Sequence, residues 1–265
     1  PGSQEPFAPA PIDDVVATIR EETPAVVFAP HVETSAGMIL PDDYISALAD
    51  AVHEVGGLLV LDCIASGAIW VDMAATGVDV LISAPQKGWS GSPCAGLVML
   101  SERGHDRLVE THSSSFACDL RKWREIMHAY ETGGHAYHTT MPTDALRPFR
   151  DVMLETEAYG FDKVMAEQQE LGTKVRAALE SRGVISVAAG GFQAPGVVVS
   201  YTSDPEVKSG AKFAAAGMQI AGGVPLQVDE GDDFSTFRLG LFGLDKLHNV
   251  DRTVASLEAV LDRVF

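Results

Sequence analysis

Apolar positions in the first hundred residues follow two alternating rhythms. From Ile12 to Glu22 and from Asp42 to Val55 they recur every three or four residues, the period of a helix that buries one face. Pro41 precedes the second of these runs and Gly56-Gly57 follows it, a residue suited to a helix start and two suited to its end. Short continuous apolar runs at 25–29, 57–61, 78–82 and 97–100 read instead as strands buried on both faces. Helices alternating with such strands predict a mostly parallel α/β sheet, with right-handed crossovers wherever a helix joins parallel neighbours. The strand at 57–61 ends on Asp62, and the crossover from it to the next strand shows no helical period.

After Pro142 the pattern changes. A helical stretch runs to about Ser181 with an interruption near Gly160, and strands follow at 184–187, 196–201 and 236–241. Helices are predicted at 205–216 and 248–264, which makes this part a smaller α+β unit. The boundary falls near Tyr159, dividing the chain into a large unit, 1–158, and a C-terminal unit, 159–265.

Composition narrows the function classes. The 265 residues carry 37 Asp plus Glu against 19 Lys plus Arg, a formal net charge of −18, which argues against nucleic acid or an anionic membrane surface as partner. No apolar run approaches the ~20 residues of a membrane span, and the Pro- and Ala-rich start lacks the basic and apolar regions of a signal peptide. The C-terminal Arg263-Val264-Phe265 is not a peroxisomal address. Cys63, Cys94 and Cys118 are odd in number and unevenly spaced, so neither a disulfide framework nor a zinc site is indicated, and a reducing, cytoplasmic setting is expected. His135 and His138 stand three apart without the cysteine or carboxylate pattern that would complete a metal site. Gly-x-Gly-x-x-Gly and Walker loops are missing, and Gly88-Trp89-Ser90-Gly91-Ser92 fails the nucleophile-elbow pattern at its last position.

Two residues point to a particular chemistry. Lys87 lies in Ser83-Ala84-Pro85-Gln86-Lys87-Gly88-Trp89, a polar turn between two apolar runs; a lysine desolvated in such a place can serve as an amine nucleophile. A solvated turn lysine is the plainer alternative. Asp62 ends a buried strand, at the edge of an open α/β sheet where ligands bind, and a carboxylate there needs a cation or several donors to face. A protonated pyridine nitrogen would be such a cation; a loop cap or a magnesium ligand would also satisfy the position.

With these residues in place the chain resembles the class V aminotransferases, in particular the alanine:glyoxylate and serine:pyruvate group. The resemblance is carried by five blocks in order: His31-Val32-Glu33-Thr34-Ser35-Ala36-Gly37, Leu61-Asp62-Cys63-Ile64-Ala65-Ser66, Ser83-Ala84-Pro85-Gln86-Lys87, Tyr137-His138-Thr139-Thr140-Met141-Pro142 and Phe237-Arg238-Leu239-Gly240-Leu241-Phe242-Gly243. It implies the fold type I of pyridoxal-phosphate enzymes and pyridoxal 5'-phosphate as cofactor. It further implies that Lys87 is the Schiff-base lysine and proton shuttle, that Asp62 partners the pyridine nitrogen, and that Ile64, two residues on along an extended segment, presses on the ring. Ser35 and Gln86 correspond to polar contacts of the cofactor. Tyr137 and Thr140 correspond to phosphate ligands supplied by a neighbouring subunit, hence a homodimer with shared sites, and Arg238 to the grip on the substrate carboxylate.

The implied reaction moves an amino group from a small amino acid, of the alanine or serine type, to a short 2-oxo acid such as glyoxylate or pyruvate. Alternatives are a pyridoxal-dependent lyase or a desulfurase, the latter requiring a loop cysteine for which Cys94 and Cys118 are the candidates, and a cofactor-less relative that only binds. Two departures stand out. Members of the family begin with a further segment holding a phosphate-binding turn and a ring-stacking aromatic residue, so the chain is expected to be a portion of a longer polypeptide. In addition, Trp89-Ser90-Gly91-Ser92-Pro93-Cys94 replaces the family's usual run after the lysine, where substrate choice could change.

Overall fold

The computed structural model describes residues 4–265, and its first part is built on a four-stranded sheet. Helix α1 (Ile12–Glu22), strand β1 (Val26–Pro30), the small hairpin β2 (Val32–Glu33) and β3 (Met38–Ile39), and helix α2 (Asp42–Glu54) lead into β4 (Leu58–Asp62). Helix α3 (Met73–Thr76), β5 (Val80–Ser83) and β6 (Leu97–Leu100) follow, and the sheet order is β1-β4-β5-β6. β1, β4 and β5 run parallel and β6 closes the edge antiparallel. The continuous apolar run of β4 is explained by its central place: four of its five residues are buried, between two strands and beneath helices. Ile19 of α1 and Ile45, Leu48 and Val52 of α2 pack with Leu59, Leu61 and Leu81 in one core, each such side chain contributing about 1.5–3 kcal/mol when fully buried.

Helices α4 (Glu102–Glu110), α5 (Leu120–Glu131), α6 (Thr143–Tyr159) and α7 (Phe161–Glu180) come next. α5 buries none of its residues. α6 and α7 are separated by Gly160, whose φ of 108° is a backbone state that glycine adopts at little cost; the boundary read from the sequence lies at the preceding residue. The remainder is β7 (Val197–Tyr201), α8 (Pro205–Lys208), α9 (Ala211–Ala215), β8 (Ala221–Gly222), β9 (Thr236–Gly240), α10 (Leu244–Leu247) and α11 (Val250–Val264). Its three strands form an antiparallel sheet of order β7-β9-β8, onto which α7 and α11 pack through Leu171, Val175, Leu179, Leu257 and Leu261.

Several expected elements differ. Residues 184–187 form an isolated bridge and not a continuous strand: Ser186 pairs with Ser200 between backbone bonds from the Tyr201 amide to Ile185 and from the Val187 amide to Val199, and the pairing ends where Val187 and Ala189 bond to Phe7. The helix expected over 205–216 is split by Gly210 at φ 81°, and that over 248–264 starts after Asn249, whose φ of −139° separates it from α10. The crossover from β4 to β5 contains α3, a single turn too short to show a period, started by Asp72, which accepts hydrogen bonds from the amides of Ala74 and Ala75. Ile64 does not continue an extended segment, because the chain turns at 64–65 and the Asp62 Oδ1 accepts the Ile64 amide at 2.9 Å. The β2–β3 hairpin, α4 and α5 were not foreseen. The three cysteines are free.

Candidate active site

Three consecutive parallel strands end on the same edge of the large sheet. Pro30 of β1 lies beside Asp62 of β4, which lies beside Ile82 of β5. The loops leaving these ends carry Ser35 in the turn of the hairpin, Asp62 and Ile64 in the turn after β4, and Gln86 and Lys87 after β5. Parallel strands make this arrangement unavoidable, since all their carboxyl ends point the same way.

The lysine loop is a closed turn: the Ser90 amide donates to the Lys87 carbonyl at 3.1 Å and the Gly91 amide to the Pro85 carbonyl at 2.9 Å. It lies directly against the turn that follows Asp62. A β-carbon on Gly88 would stand 2.2 Å from the Gly67 carbonyl oxygen, so only a hydrogen fits between the two loops. Lys87 is half-buried, with its Nζ 5.8 Å from the centre of the Phe242 ring. Asp62 is also half-buried. Among the described residues neither Lys87, Asp62 nor Arg238 takes part in an ion pair, although ion pairs are plentiful elsewhere. A lysine and an aspartate thus stand on one sheet edge, neither with a charged protein partner among the described residues, an arrangement able to receive a ligand.

Arg238 sits on β9 opposite Val199. Its Nε donates to the Gly222 carbonyl at 2.9 Å, which orients the guanidinium and leaves its Nη edge without a partner among the described residues. A free guanidinium edge of this kind is able to bind a carboxylate through two parallel hydrogen bonds. Ser35 is half-buried, its amide bonded to Glu33 Oε1 at 2.7 Å, and Gln86 is exposed. Tyr137 and Thr140 stand apart from the sheet edge, in the connection between α5 and α6. Tyr137 is 77% exposed, and its hydroxyl is 3.4 Å from that of Thr140. His138 is held by the Phe116 carbonyl at 2.9 Å and packs on Phe116 and Trp123.

Sequence reading assigned no role to His31, Ser66, Ser90 or Phe242. His31 is buried to 2% at the end of β1; its amide donates to the Asp62 carbonyl, and its Nδ1 lies 2.7 Å from the Ser66 hydroxyl. Burial pushes its pKa down to about 4. The neighbouring Cys63 thiol is pushed up to about 12, chiefly by burial, and stays protonated. All four residues occur in or beside the recognised blocks, but nothing in their spacing reveals these contacts.

The model of the family described as aminotransferase class-V matches residues 9–202. The chain is 28% identical over 271 residues to a 2-aminoethylphosphonate–pyruvate transaminase of Burkholderia ambifaria, covering 98% of this chain and 67% of that protein. It is 24% identical over 279 residues to an alanine–glyoxylate aminotransferase of Oryctolagus cuniculus, covering 98% and 66%. In fold it is similar to the crystal structure of an alanine–glyoxylate aminotransferase from Nostoc sp., with a TM-score of 0.79 at 22% identity over 97% of this chain and 66% of that one. The chain thus spans about two thirds of the length of the relatives it matches.

Proposed function

The chain belongs to the class V aminotransferases, and from that premise we propose that the protein moves an amino group from a small amino acid of the alanine or serine type to a short 2-oxo acid such as glyoxylate or pyruvate, with pyridoxal 5'-phosphate as cofactor. One observation carries the reading: the close approach of Gly88 to Gly67 sets the Lys87 loop against the Asp62 turn, so a primary amine and a carboxylate, neither with a charged protein partner, open on one edge. The named relatives act with pyruvate or glyoxylate, which supports a small acceptor.

The donor set fits the cofactor. Lys87 supplies the amine that would hold its aldehyde, and Asp62 a carboxylate that would keep its ring nitrogen protonated. Ile64 offers an apolar side chain for the ring, and Ser35 and Gln86 offer polar contacts. When bound, pyridoxal phosphate withdraws electrons from the substrate's α-carbon and stabilises negative charge there. Lys87 would then move the proton at that carbon, and Arg238 would grip the substrate carboxylate. Tyr137 and Thr140, exposed on this chain, would serve the phosphate in a second copy, making the protein a homodimer with shared sites. In this reading residues 1–158 carry the cofactor end and 159–265 the carboxylate end. Among the described residues no helix is long and apolar enough to cross a membrane, and a cytoplasmic location belongs to the same proposal.

Adding pyridoxal phosphate to the full-length protein should give an absorbance above the protein band, and a panel of amino donors against glyoxylate and pyruvate should reveal turnover. Lys87→Ala should abolish both signals, with turnover falling by about 10³-fold or more. Full activity in that variant would refute the assignment.

A further inference from the structure

We infer that Ser90 is a positioning residue, which ties the lysine loop to the strand that carries Arg238 and so sets the separation between the amine and the guanidinium. The inference rests on the transaminase reading and assigns a role to a residue that it leaves idle.

Ser90 has φ 57°, a left-handed conformation that a side chain with a β-carbon adopts at a cost of order 1 kcal/mol. Glycine would fit this turn more easily, and asparagine nearly as well, so the turn itself does not call for serine. The hydroxyl has a use that glycine could not meet: Ser90 Oγ accepts the amide of Leu244 at 3.0 Å. Leu244 opens α10, where a helix leaves amides without partners, and its predecessor Gly243 provides no side chain to cap them. Ser90 therefore caps a helix that lies 154 residues further along the chain.

The residues between Arg238 and Leu244 form a short bracket. Leu241 donates to the Gly196 carbonyl at 2.9 Å, fixing one end to the antiparallel sheet, and Leu244 fixes the other end to the lysine loop through Ser90. Between them Phe242 lies under the Lys87 amine. A β-carbon on Gly67 would meet the Phe242 ring at 3.5 Å and one on Gly196 would meet it at 3.1 Å, so the ring is wedged between the two loops. An amino acid held by its carboxylate at Arg238 must present its α-carbon to Lys87. The bracket is a covalent and hydrogen-bonded path that sets this distance, and Ser90 is the side-chain hydrogen bond joining it to the lysine loop.

The test uses the full-length protein loaded with pyridoxal phosphate, in four forms: wild type, Ser90→Ala, Ser90→Gly and Ser90→Asn. Three readouts are taken: cofactor affinity by absorbance titration, kcat/KM for alanine beside the inhibition constant of propionate, and hydrogen exchange of the Leu244 amide. Propionate reports Arg238 alone because it has no amino group. Ser90→Ala should leave cofactor and propionate binding unchanged, lower kcat/KM for alanine about fivefold, the worth of one hydrogen bond, and speed exchange at Leu244. Ser90→Gly should show the same loss although it relaxes the turn and does not lower thermal stability, a combination that a purely structural role would not give. Ser90→Asn, which tolerates the left-handed turn and offers an acceptor, should restore most of the rate. Wild-type kcat/KM in Ser90→Ala or Ser90→Gly would overturn the inference while leaving the transaminase reading standing. A wild-type protein that shows no Lys87-dependent absorbance would remove that reading, and the positioning role with it.

Discussion

The residues of the proposed cofactor site come from two regions that are held in opposite ways. The strip from Asp62 to Ser90 is fixed from several sides: Asp62 by its place in the sheet and by the Ile64 amide, the lysine loop by Gly67, Phe242 and Leu244. The connection around α5 and Tyr137 is displayed instead, with Phe116, Met127, Tyr130 and Tyr137 more than half exposed and no residue of α5 buried. The first region is preorganised by the fold of this chain. The second presents side chains that the described residues leave uncovered, and in the proposed homodimer a second copy would complete its site.

The sharpest way to break that contrast is to cut into each region's support. Leu171→Ala, in the core beneath the antiparallel sheet, should destabilise the protein by about 2–5 kcal/mol, whereas Met127→Ala, at 61% exposure on α5, should change chain stability by no more than about 0.5 kcal/mol in denaturant titrations. Equal losses would mean that α5 is part of the chain's own core. Asp62→Asn keeps the shape of the fixed region and removes its charge; turnover should drop roughly 100-fold with the chain still folded, as when a preorganised electrostatic partner is lost. A rate within a factor of two of wild type would detach Asp62 from the chemistry.

A further test concerns acid. In the fold His31 titrates at about 4 because it is buried, against an ordinary 6.5. Between those values the unfolded chain binds more protons, so stability is complete above pH 6.5, falls as the pH is lowered, and is fully lost from this source below about 4. The loss amounts to about 3 kcal/mol, and a His31→Gln variant should lack that part of the slope when urea midpoints are followed from pH 7 to 4. An unchanged slope would show that His31 does not anchor the fixed region as a neutral imidazole. The smallest effect is expected in the displayed region: Tyr137→Phe should weaken cofactor affinity by about tenfold or less, the loss of one hydrogen bond to a charged group. At a cofactor concentration low enough to leave Tyr137→Phe largely unloaded, mixing it with Lys87→Ala should raise activity above that of either variant alone if each site draws on two copies.

Part of the candidate site's placement was legible because it depends on local pattern. The run 57–61 is apolar throughout because β4 is central, and a strand that ends there must deliver Asp62 to the ligand edge of a parallel sheet. Gly160 divided the long helical stretch in the pattern and in the fold alike. What escaped the sequence depends on contacts between distant segments or on elements too short to carry a period. α3 is one turn, the turn at Ile64 depends on a side-chain acceptor at Asp62, and the pairing of residues 184–187 ends where Val187 and Ala189 bond to the distant Phe7.

The amino-acid sequence by itself determined which groups are on hand: an amine at 87, an acid at 62, a guanidinium at 238, and the order of strands and helices that carries them. Only the tertiary structure decided that Gly88 meets Gly67, that His31 is buried against Ser66, and that Ser90 caps a helix starting at Leu244. Periodicity records the face a residue buries, because that depends on its near neighbours. Which remote segment then lies against that face is fixed by packing and hydrogen bonding, and leaves no regular mark along the chain.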